Sequence, residues 1–302
     1  MIEKNSFDVI IVGGSYAGLS AAMTLGRSLK RTLVIDSGKP CNRQTPHSHN
    51  FLTRDGQSPE KISTIARAQV EQYEAVKFYD GFAVAGKKAD DEFEIITRSN
   101  ENFYGKKLIF ATGITDEIPD IPGFSECWGI SVIHCPYCHG HEHRGERTGI
   151  LANGEQAFHL ASLVNNLTEK LVLLTKGKSD FSAEQMSKLK KHDIQINEAE
   201  VTRLEQKHGQ LKGVVLADGE TIELNALYAG LSFSQHSDIP MSLGCKLTEQ
   251  GYIEVDNMQK TTVPGIYACG DNSAPFRSIA NAVQTGNVVG AVVNMDLTNE
   301  QF

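Results

Sequence analysis

The chain has 302 residues, which at about 150 residues per domain predicts two domains. Apolar residues make up 40% and charged residues 22%, so the composition excludes a disordered or collagen-like chain. The net charge of −8 argues against a nucleic-acid partner, and no apolar run is long enough to cross a membrane. The first residues lack the basic and apolar segments of a secretion signal, so we expect a cytoplasmic location.

The first segment predicts a strand, a tight turn and a helix. Residues 7–12 form an apolar run, and glycines follow at Gly13, Gly14 and Gly18. A second apolar run ends in Asp36, 18 residues beyond Gly18. This spacing is typical of a βαβ unit.

The turn matches the dinucleotide-binding pattern G-x-G-x-x-G, with Ser15 in place of the middle glycine. Small residues there let the backbone approach a pyrophosphate, the helix N-terminus attracts its charge, and Asp36 can accept a hydrogen bond from a ribose hydroxyl. A glycine turn can be purely structural, but the strand, the helix and the acid together favour nucleotide binding. The predicted contacts are Gly13, Gly14, Ser15, Tyr16, Ala17, Gly18 and Asp36.

Residues 39–59 show little periodicity and are predicted to form a loop that covers the cofactor. His47 and His49 lie in this loop. An H-x-H pair without a third ligand nearby is more often engaged in loop hydrogen bonding than in metal binding, so no metal site is expected.

The elements predicted after this loop alternate between helices and strands. They are a helix over 58–75, strands at 93–97 and 107–111, alternating strand sequence over 213–229, a buried strand within 263–271 and a helix over 278–295.

A second unit of the same kind begins at Arg147, about 140 residues after the first. A strand at 149–151 leads into a turn at 152–157, a helix to about residue 167 and a strand at 171–175. The turn differs from the first because Ala152 replaces the leading glycine.

Two of the six cysteines form the sequence Cys135-Pro136-Tyr137-Cys138. This spacing suits a disulfide that opens and closes. A zinc half-site is the alternative, since several histidines crowd the segment, but adjacent residues on a short helix cannot all converge on one ion. The other cysteines are predicted to be unpaired packing residues: Cys41, Cys127, Cys245 and Cys269.

Nearly the whole chain resembles the low-molecular-weight thioredoxin reductase group of flavoprotein disulfide oxidoreductases. Five motifs in order carry the resemblance: the turn at 13–18, the segments 109–113 and 121–123, the cysteine pair at 135–138 and the segment 265–271. It implies an α/β fold of two three-layer Rossmann-like dinucleotide-binding domains, the second inserted into the first. Residues 1–117 and 238–302 would bind FAD, and 118–237 would form an NAD(P)H-binding-like domain carrying the cysteine pair.

The resemblance also implies site residues and a homodimer. Cys138 would face the flavin and Cys135 would meet an external dithiol or disulfide. The helix N-terminus after Arg277 would stabilise negative charge on the reduced ring. Beyond the first turn, the implied FAD contacts are Ser37, Asn42, Arg43, His49, Ala111, Thr112, Gly113, Gly270, Asp271, Arg277, Ser278, Ile279 and Ala280.

Three features depart from this group. His139 stands where thioredoxin reductases carry an acid, so it could shuttle a proton near neutral pH or simply pack or cap a helix. The turn at 152–157 is poor in glycine, and the strand after it leads to Lys176 and Lys178 rather than to a basic cluster for a 2′-phosphate. Residues 229–235 lack the Gly-x-x-Pro that usually closes this domain, so NADPH is uncertain as a cofactor.

We therefore expect an FAD-dependent thiol-disulfide oxidoreductase in which Cys135, Cys138 and His139 do the chemistry. The partner would be a thioredoxin-like protein or a small dithiol or disulfide. Three alternatives remain open: a dithiol oxidase that uses oxygen, to which the Cys-x-x-Cys-His-Gly sequence is similar, a reductase supplied by ferredoxin, and a low-turnover flavin redox sensor.

Overall fold

The computed structural model describes residues 5–89 and 91–302, and these form two compact units. The first unit comprises the described residues up to Arg43, Phe51–Thr115 and Phe233–Phe302. The second comprises Gln44–Asn50 and Asp116–Ser232. Segment 44–50, placed by the sequence analysis with the first domain, therefore clusters with the second unit.

The strands alternate with the helices along much of the chain. The strands are β1 (Ser6–Val12), β2 (Thr32–Asp36), β3 (Val76–Asp80), β4 (Ala83–Ala89), β5 (Glu92–Thr97), β6 (Asn102–Phe110), β7 (Ile114–Asp116), β8 (Val132–Ile133), β9 (Thr148–Leu151), β10 (Leu171–Leu174), β11 (Gln195–Asn197), β12 (Val201–Lys207), β13 (Gln210–Leu216), β14 (Thr221–Glu223), β15 (Ala226–Ala229), β16 (Phe233–Gln235) and β17 (Ile266–Ala268). The helices are α1 (Tyr16–Arg27), α2 (Pro59–Val70), α3 (Phe124–Cys127), α4 (Pro136–His139), α5 (Gly154–Val164), α6 (Ala183–Lys191), α7 (Ile239–Ser242) and α8 (Ile279–Gln301).

The first unit is built on a parallel sheet in the order β3-β2-β1-β6-β17. Strand β5 pairs antiparallel with the first half of β6, and β4 pairs antiparallel with β5. Both faces of β1 are buried, because Val9 and Ile11 pack in a core shared with α1 and α8, whereas Ile10 and Val12 pack with β5 and α7. This alternation gives three layers with the sheet in the middle.

The second unit repeats the plan with a parallel sheet in the order β11-β10-β9-β15-β8. On β10, Leu171 and Leu173 pack with α5, while Val172 and Leu174 pack with the antiparallel strands β12 and β13. Because the two sheets share strand order and layering, the predicted fold class of two Rossmann-like units is confirmed.

The structure differs from the predicted elements at some of their ends and by several elements that the sequence patterns do not predict. Helix α2 ends at Val70 instead of residue 75, because Tyr73 turns back onto Val70 and β3 starts at Val76 to pair with β2. Helix α8 continues to Gln301. The elements without a predicted counterpart include β3, β4, β11, β12 and α6. Among the described residues, no helix is both long and apolar enough to span a membrane.

Candidate active site

The turn between β1 and α1 leaves a helix N-terminus available for an anion. Ser15 is the N-cap residue, but its side chain makes no capping hydrogen bond to the described residues, and the first turn of α1 carries no acid. The backbone N–H groups of that turn and the helix dipole therefore offer positive potential to a phosphate.

Two glycines in this turn are required by close packing. A Cβ on Gly18 would lie 1.9 Å from the carbonyl oxygen of Gly13. A Cβ on Gly13, whose φ is +110°, would lie 2.2 Å from the carbonyl oxygen of Ala111. The tight turn and the close helix-strand approach explain both glycines of the fingerprint.

Asp36 lies at the carboxyl end of β2 against the same turn. Its Oδ1 accepts a hydrogen bond of 3.2 Å from the backbone N–H of Gly14. A Cβ on Gly14 would come within 2.7 Å of the Asp36 Cβ, so the glycine leaves room for the acid. Asp36 is thus held at the position where an adenosine ribose is bound in this kind of unit.

Predicted contacts from four separate segments meet beside this turn. Burial raises the pKa of the Tyr16 phenol, partly offset by a hydrogen bond to the Asn42 side chain. The Cys41 Sγ lies 3.8 Å from the Asp271 carboxylate, and the Arg277 guanidinium lies 3.8 Å from the same oxygen. The loop at 39–43, the end of β17 and the start of α8 are therefore brought to α1.

Asn272 ties the segment at 111–113 to the turn after β17. It is fully buried, and its Nδ2 donates to the carbonyl of Phe110 at 2.8 Å and to the Thr112 hydroxyl at 3.1 Å. Its Oδ1 is buried without a hydrogen-bond partner among the described residues. An orphaned acceptor beside Asp271 suits a bound group that carries a donor.

These residues fit FAD. The open N-terminus of α1 and the Asp36 carboxylate suit the adenosine diphosphate part of FAD. The Asn272 Oδ1, which is buried without a partner among the described residues, suits a hydrogen-bond donor on the flavin-bearing part. Gly113 and Gly270 both have positive φ, of +67° and +82°, as turns against a ligand often require. At the start of α8 the Ser278 side chain caps the backbone N–H of Asn281, and Ile279 and Ala280 form the first turn.

Three of the predicted FAD contacts are not among the residues tied to this turn. Arg43 is exposed and hydrogen-bonds the carbonyl of Pro40. Ser37 is half-buried after β2. His49 lies in the second unit beside His139, with the two ring centroids 6.5 Å apart.

The cysteine pair stands at the start of α4. Cys135 and Cys138 are joined by a disulfide, with their Cα atoms 5.3 Å apart. Cys135 is the N-cap residue, and its Sγ accepts a hydrogen bond of 3.2 Å from the backbone N–H of Cys138. Pro136 occupies the first helical position, where its missing N–H costs nothing. A hydrogen-bond donor aimed at Sγ favours the thiolate form of Cys135 once the disulfide opens.

His139 closes α4 directly after the pair. Both of its ring nitrogens are buried, and neither makes a hydrogen bond of normal geometry to a described residue. Burial and the neighbouring His49 lower the pKa of His139. Gly140 follows because a Cβ there would lie 2.3 Å from the Pro136 carbonyl oxygen and 2.4 Å from Leu167.

The turn before α5 is closed by its own side chains. The Asn153 Oδ1 accepts hydrogen bonds from the backbone N–H groups of Gly154 at 2.8 Å and Asp180 at 2.9 Å. The Asn153 Nδ2 donates to the carbonyl of Lys178 at 3.0 Å. The loop at 178–180 is therefore fastened to the N-terminus of α5.

Further groups occupy the same end of α5. Glu155 adds negative charge to the first turn and accepts a hydrogen bond from Gln185. The Gln156 side-chain amide lies directly against Gly230. A Cβ on that glycine would be 2.2 Å from the amide nitrogen. The second turn thus lacks the open, positively polarised terminus of the first.

The remaining cysteines are placed in two environments. Cys127, Cys245 and Cys269 are buried, and burial raises the pKa of each thiol, to about 12 for Cys269. Cys41 is exposed. Across residues 5–89 and 91–302, no three His, Cys, Asp or Glu side chains are grouped so as to hold a metal ion.

Two dinucleotide-type units, one with an open phosphate turn, and a Cys-x-x-Cys disulfide define an FAD oxidoreductase of the thioredoxin reductase-like class. Comparison with known proteins agrees. The model of the family described as pyridine nucleotide-disulphide oxidoreductase matches residues 7–286. The chain belongs to this family.

Individual relatives match over almost the full length of the chain. Thioredoxin reductase tcpT of Claviceps purpurea is 32% identical, with 98% of this chain and 96% of the relative covered. Thioredoxin reductase aclD of Aspergillus oryzae is 31% identical, with 98% of each chain covered. The crystal structure of an oxidoreductase from Agrobacterium tumefaciens superposes with a TM-score of 0.91 at 36% identity, covering 97% of this chain and 99% of the other.

Two residues that shape these sites carry no signal in the sequence. Asn272 follows the Gly270-Asp271 turn, but nothing in the pattern signals that it is buried and bonded to β6. Glu142 lies 3.6 Å from the His49 imidazole, and this contact joins residues far apart in the sequence.

Proposed function

We propose that this protein is an FAD-dependent thiol-disulfide oxidoreductase in which the Cys135–Cys138 disulfide exchanges two electrons with an external dithiol. The observation that carries the proposal is the disulfide at the start of α4, with the Cys138 N–H directed at the Cys135 Sγ. When bound, FAD supplies a two-electron carrier for the pair.

The exchange at the cysteines is balanced without further reactants. A substrate thiolate attacks the Cys135 sulfur, so that a mixed disulfide forms and Cys138 leaves as a thiolate. The second substrate thiolate then attacks the substrate sulfur of the mixed disulfide and releases Cys135. The substrate becomes a disulfide, and the cysteine pair gains two electrons and becomes a dithiol; run in reverse, the same steps reduce an external disulfide.

His139 is proposed as the group that holds the proton of this exchange. It follows Cys138 directly, and its lowered pKa keeps the imidazole neutral and able to accept a proton from a thiol. The Cys138 N–H supports the Cys135 thiolate, which suits Cys135 for contact with the substrate and Cys138 for contact with the flavin.

We further propose that NADPH is not the electron donor. In the first unit, no side chain of the described residues caps the N-terminus of α1. In the second unit, the Asn153 side chain accepts a hydrogen bond from the Gly154 N–H and donates one to the Lys178 carbonyl, which holds the 178–180 loop at the turn. Glu155 opposes an anion at the same end. A pyrophosphate would have to displace these groups.

The closed second turn favours one direction of catalysis. A reductase needs a donor for the flavin, whereas a dithiol oxidase takes electrons from its substrate and passes them to oxygen. The oxidase is therefore our second, more specific candidate. The experiment must distinguish this oxidase from a reductase supplied by ferredoxin and from a low-turnover redox sensor.

The test is to mix flavin-loaded protein under nitrogen with NADPH, and in a separate sample with dithiothreitol, while following flavin absorbance. We expect dithiothreitol to bleach the flavin and NADPH to leave it oxidised, with peroxide formed when air is admitted. Rapid bleaching by NADPH would contradict our account of the second unit. Bleaching by dithiol without turnover in air would favour the redox sensor.

The partner is proposed to be a thioredoxin-like protein or a small dithiol, the first because relatives that match nearly the whole chain carry the name thioredoxin reductase. We also propose a homodimer, by resemblance to the thioredoxin reductase group. Light scattering on the flavin-loaded protein checks the mass, and a monomer at micromolar concentration would contradict it.

A further inference from the structure

His139 lies in a cluster of charged and titratable groups within the second unit. Segment Gln44–Asn50, which belongs to this unit, places the His49 ring edge-on to the His139 ring, with the centroids 6.5 Å apart and the planes at 86°. The His49 Nε2 lies 3.6 Å from the Glu142 carboxylate. His49 thus has Glu142 and His139 as neighbours.

Titratable residues act on His139 from the loop after α4 and from the segment 44–50. They are Glu142 and His143 in the loop, and His49 and the backbone of His47 in the segment. The Cys135–Cys138 disulfide precedes His139 on α4, and the Tyr228 hydroxyl on β15 lies against the next residue, Gly140. His143 is itself paired with Glu146, with 2.8 Å between Nδ1 and the carboxylate. Among these groups the His49 ring and the Glu142 carboxylate lie within 3.6 Å of each other, and both act on His139.

We propose that His49 and Glu142 are positioning residues that set the protonation of His139 in opposite directions. The predicted role of His49 as an FAD contact stays a prediction beside this one. When its own ring is protonated, His49 opposes a second positive charge on the adjacent ring, whereas the Glu142 carboxylate favours it. Because both ring nitrogens of His139 are buried, such charges act on it with little screening by water, and the backbone of His47 acts in the same direction as Glu142.

The contact between His49 and Glu142 links their opposite effects on His139. At 3.6 Å, Glu142 also offsets the positive charge of a protonated His49. Loss of the carboxylate therefore removes an attraction for a proton on His139 and leaves the repulsion from a protonated His49 uncompensated. The direction of each effect agrees with the influences on the pKa of His139, which His49 lowers and Glu142 raises. The consequence for turnover rests on the proposed function, whereas the charge coupling does not.

The experiment is a pH titration of the histidine ring signals by NMR in the oxidised, flavin-loaded protein. His139→Asn identifies the signal of His139. We expect Glu142→Gln to lower the pKa of His139 and His49→Asn to raise it, each by about 0.5 to 1 unit. Glu155→Gln is the matched control, since it removes a carboxylate of the same unit that faces Gln185, and it is expected to leave His139 unchanged.

The result that overturns the proposal is any other pattern: no shift in either variant, shifts of the same sign, or a shift in only one of them. Because no dithiol is present, this outcome is independent of whether the protein oxidises dithiols. If the coupling and the proposed function both hold, the pH profile of dithiol turnover moves in the same opposite directions. An NMR coupling without any dithiol activity would reject the function and keep the inference.

Discussion

Gly286 on α8 controls how closely that helix approaches α1, which carries the first turn. A Cβ at position 286 would lie 2.1 Å from the carbonyl oxygen of Ala17 and 2.9 Å from the Ser20 Cβ. The contact is with backbone, so no side-chain rotation relieves it. We predict that Gly286→Ala pushes the two helices apart by about 1 Å and disturbs the turn at 13–18.

The expected magnitude follows from two opposing effects. Alanine stabilises a helix interior by about 1 kcal/mol relative to glycine. Overpacking costs about 1 to 3 kcal/mol, and a clash with rigid backbone belongs at the upper end. The net loss is about 2 kcal/mol, which lowers Tm by roughly 4 to 8 °C.

The assay is thermal unfolding of the purified protein together with its flavin-to-protein ratio. Both Tm and flavin content are expected to fall in Gly286→Ala. Gln284→Ala, at an exposed position of the same helix, is the control and should keep both values. A Gly286→Ala protein that melts above the wild type with full flavin would refute the reasoning, because helix propensity would then outweigh the clash.

Three further predictions concern single side chains. Asp36→Ala removes a charged acceptor and should weaken FAD binding about 10- to 100-fold, measured by titration of the apoprotein, whereas unchanged affinity would refute the ribose assignment. Asn153→Gly removes three hydrogen bonds and should lower the free energy of unfolding by about 1 to 3 kcal/mol without loss of flavin, as followed by denaturant titration. Burial raises the pKa of Asp296, but Lys260 and Tyr267 outweigh it and hold the pKa below its ordinary value. Asp296→Asn should therefore destabilise the protein by about 1 to 2 kcal/mol at neutral pH, and the difference should shrink as pH falls below about 3.9; a pH-independent difference would argue against the charge.

The parts of the fold that could be predicted are those set by local pattern. The apolar run of β1, the glycines of the turn and Asp36 at the end of β2 define one unit because each acts on its near neighbours in sequence. Strand β4 was missed because its packing, not its own alternation, makes it a strand: Gly86 lies against Ile239, far along the chain.

The candidate site also combines features that a local sequence pattern predicts with features that depend on packing between distant segments. The Cys135–Cys138 pair and His139 follow from a short motif, and the structure joins the pair in a disulfide. The FAD contact of His49 stays a prediction, whereas no local signal indicates that segment 44–50 packs within the second unit. The closed turn before α5 could be expected from the lost glycine, whereas the Asn153 hydrogen bonds to the 178–180 loop could not.

The central claim is that electrons pass through the Cys135–Cys138 pair, and anaerobic mixing of dithiothreitol with cysteine variants tests it most directly. Wild-type protein and Cys41→Ser, which alters an exposed cysteine of the first unit, are expected to show flavin bleaching at similar rates. Cys135→Ser and Cys138→Ser are expected to leave the flavin oxidised, because neither can form the disulfide that accepts the electrons. Bleaching of either variant at the wild-type rate would contradict the account.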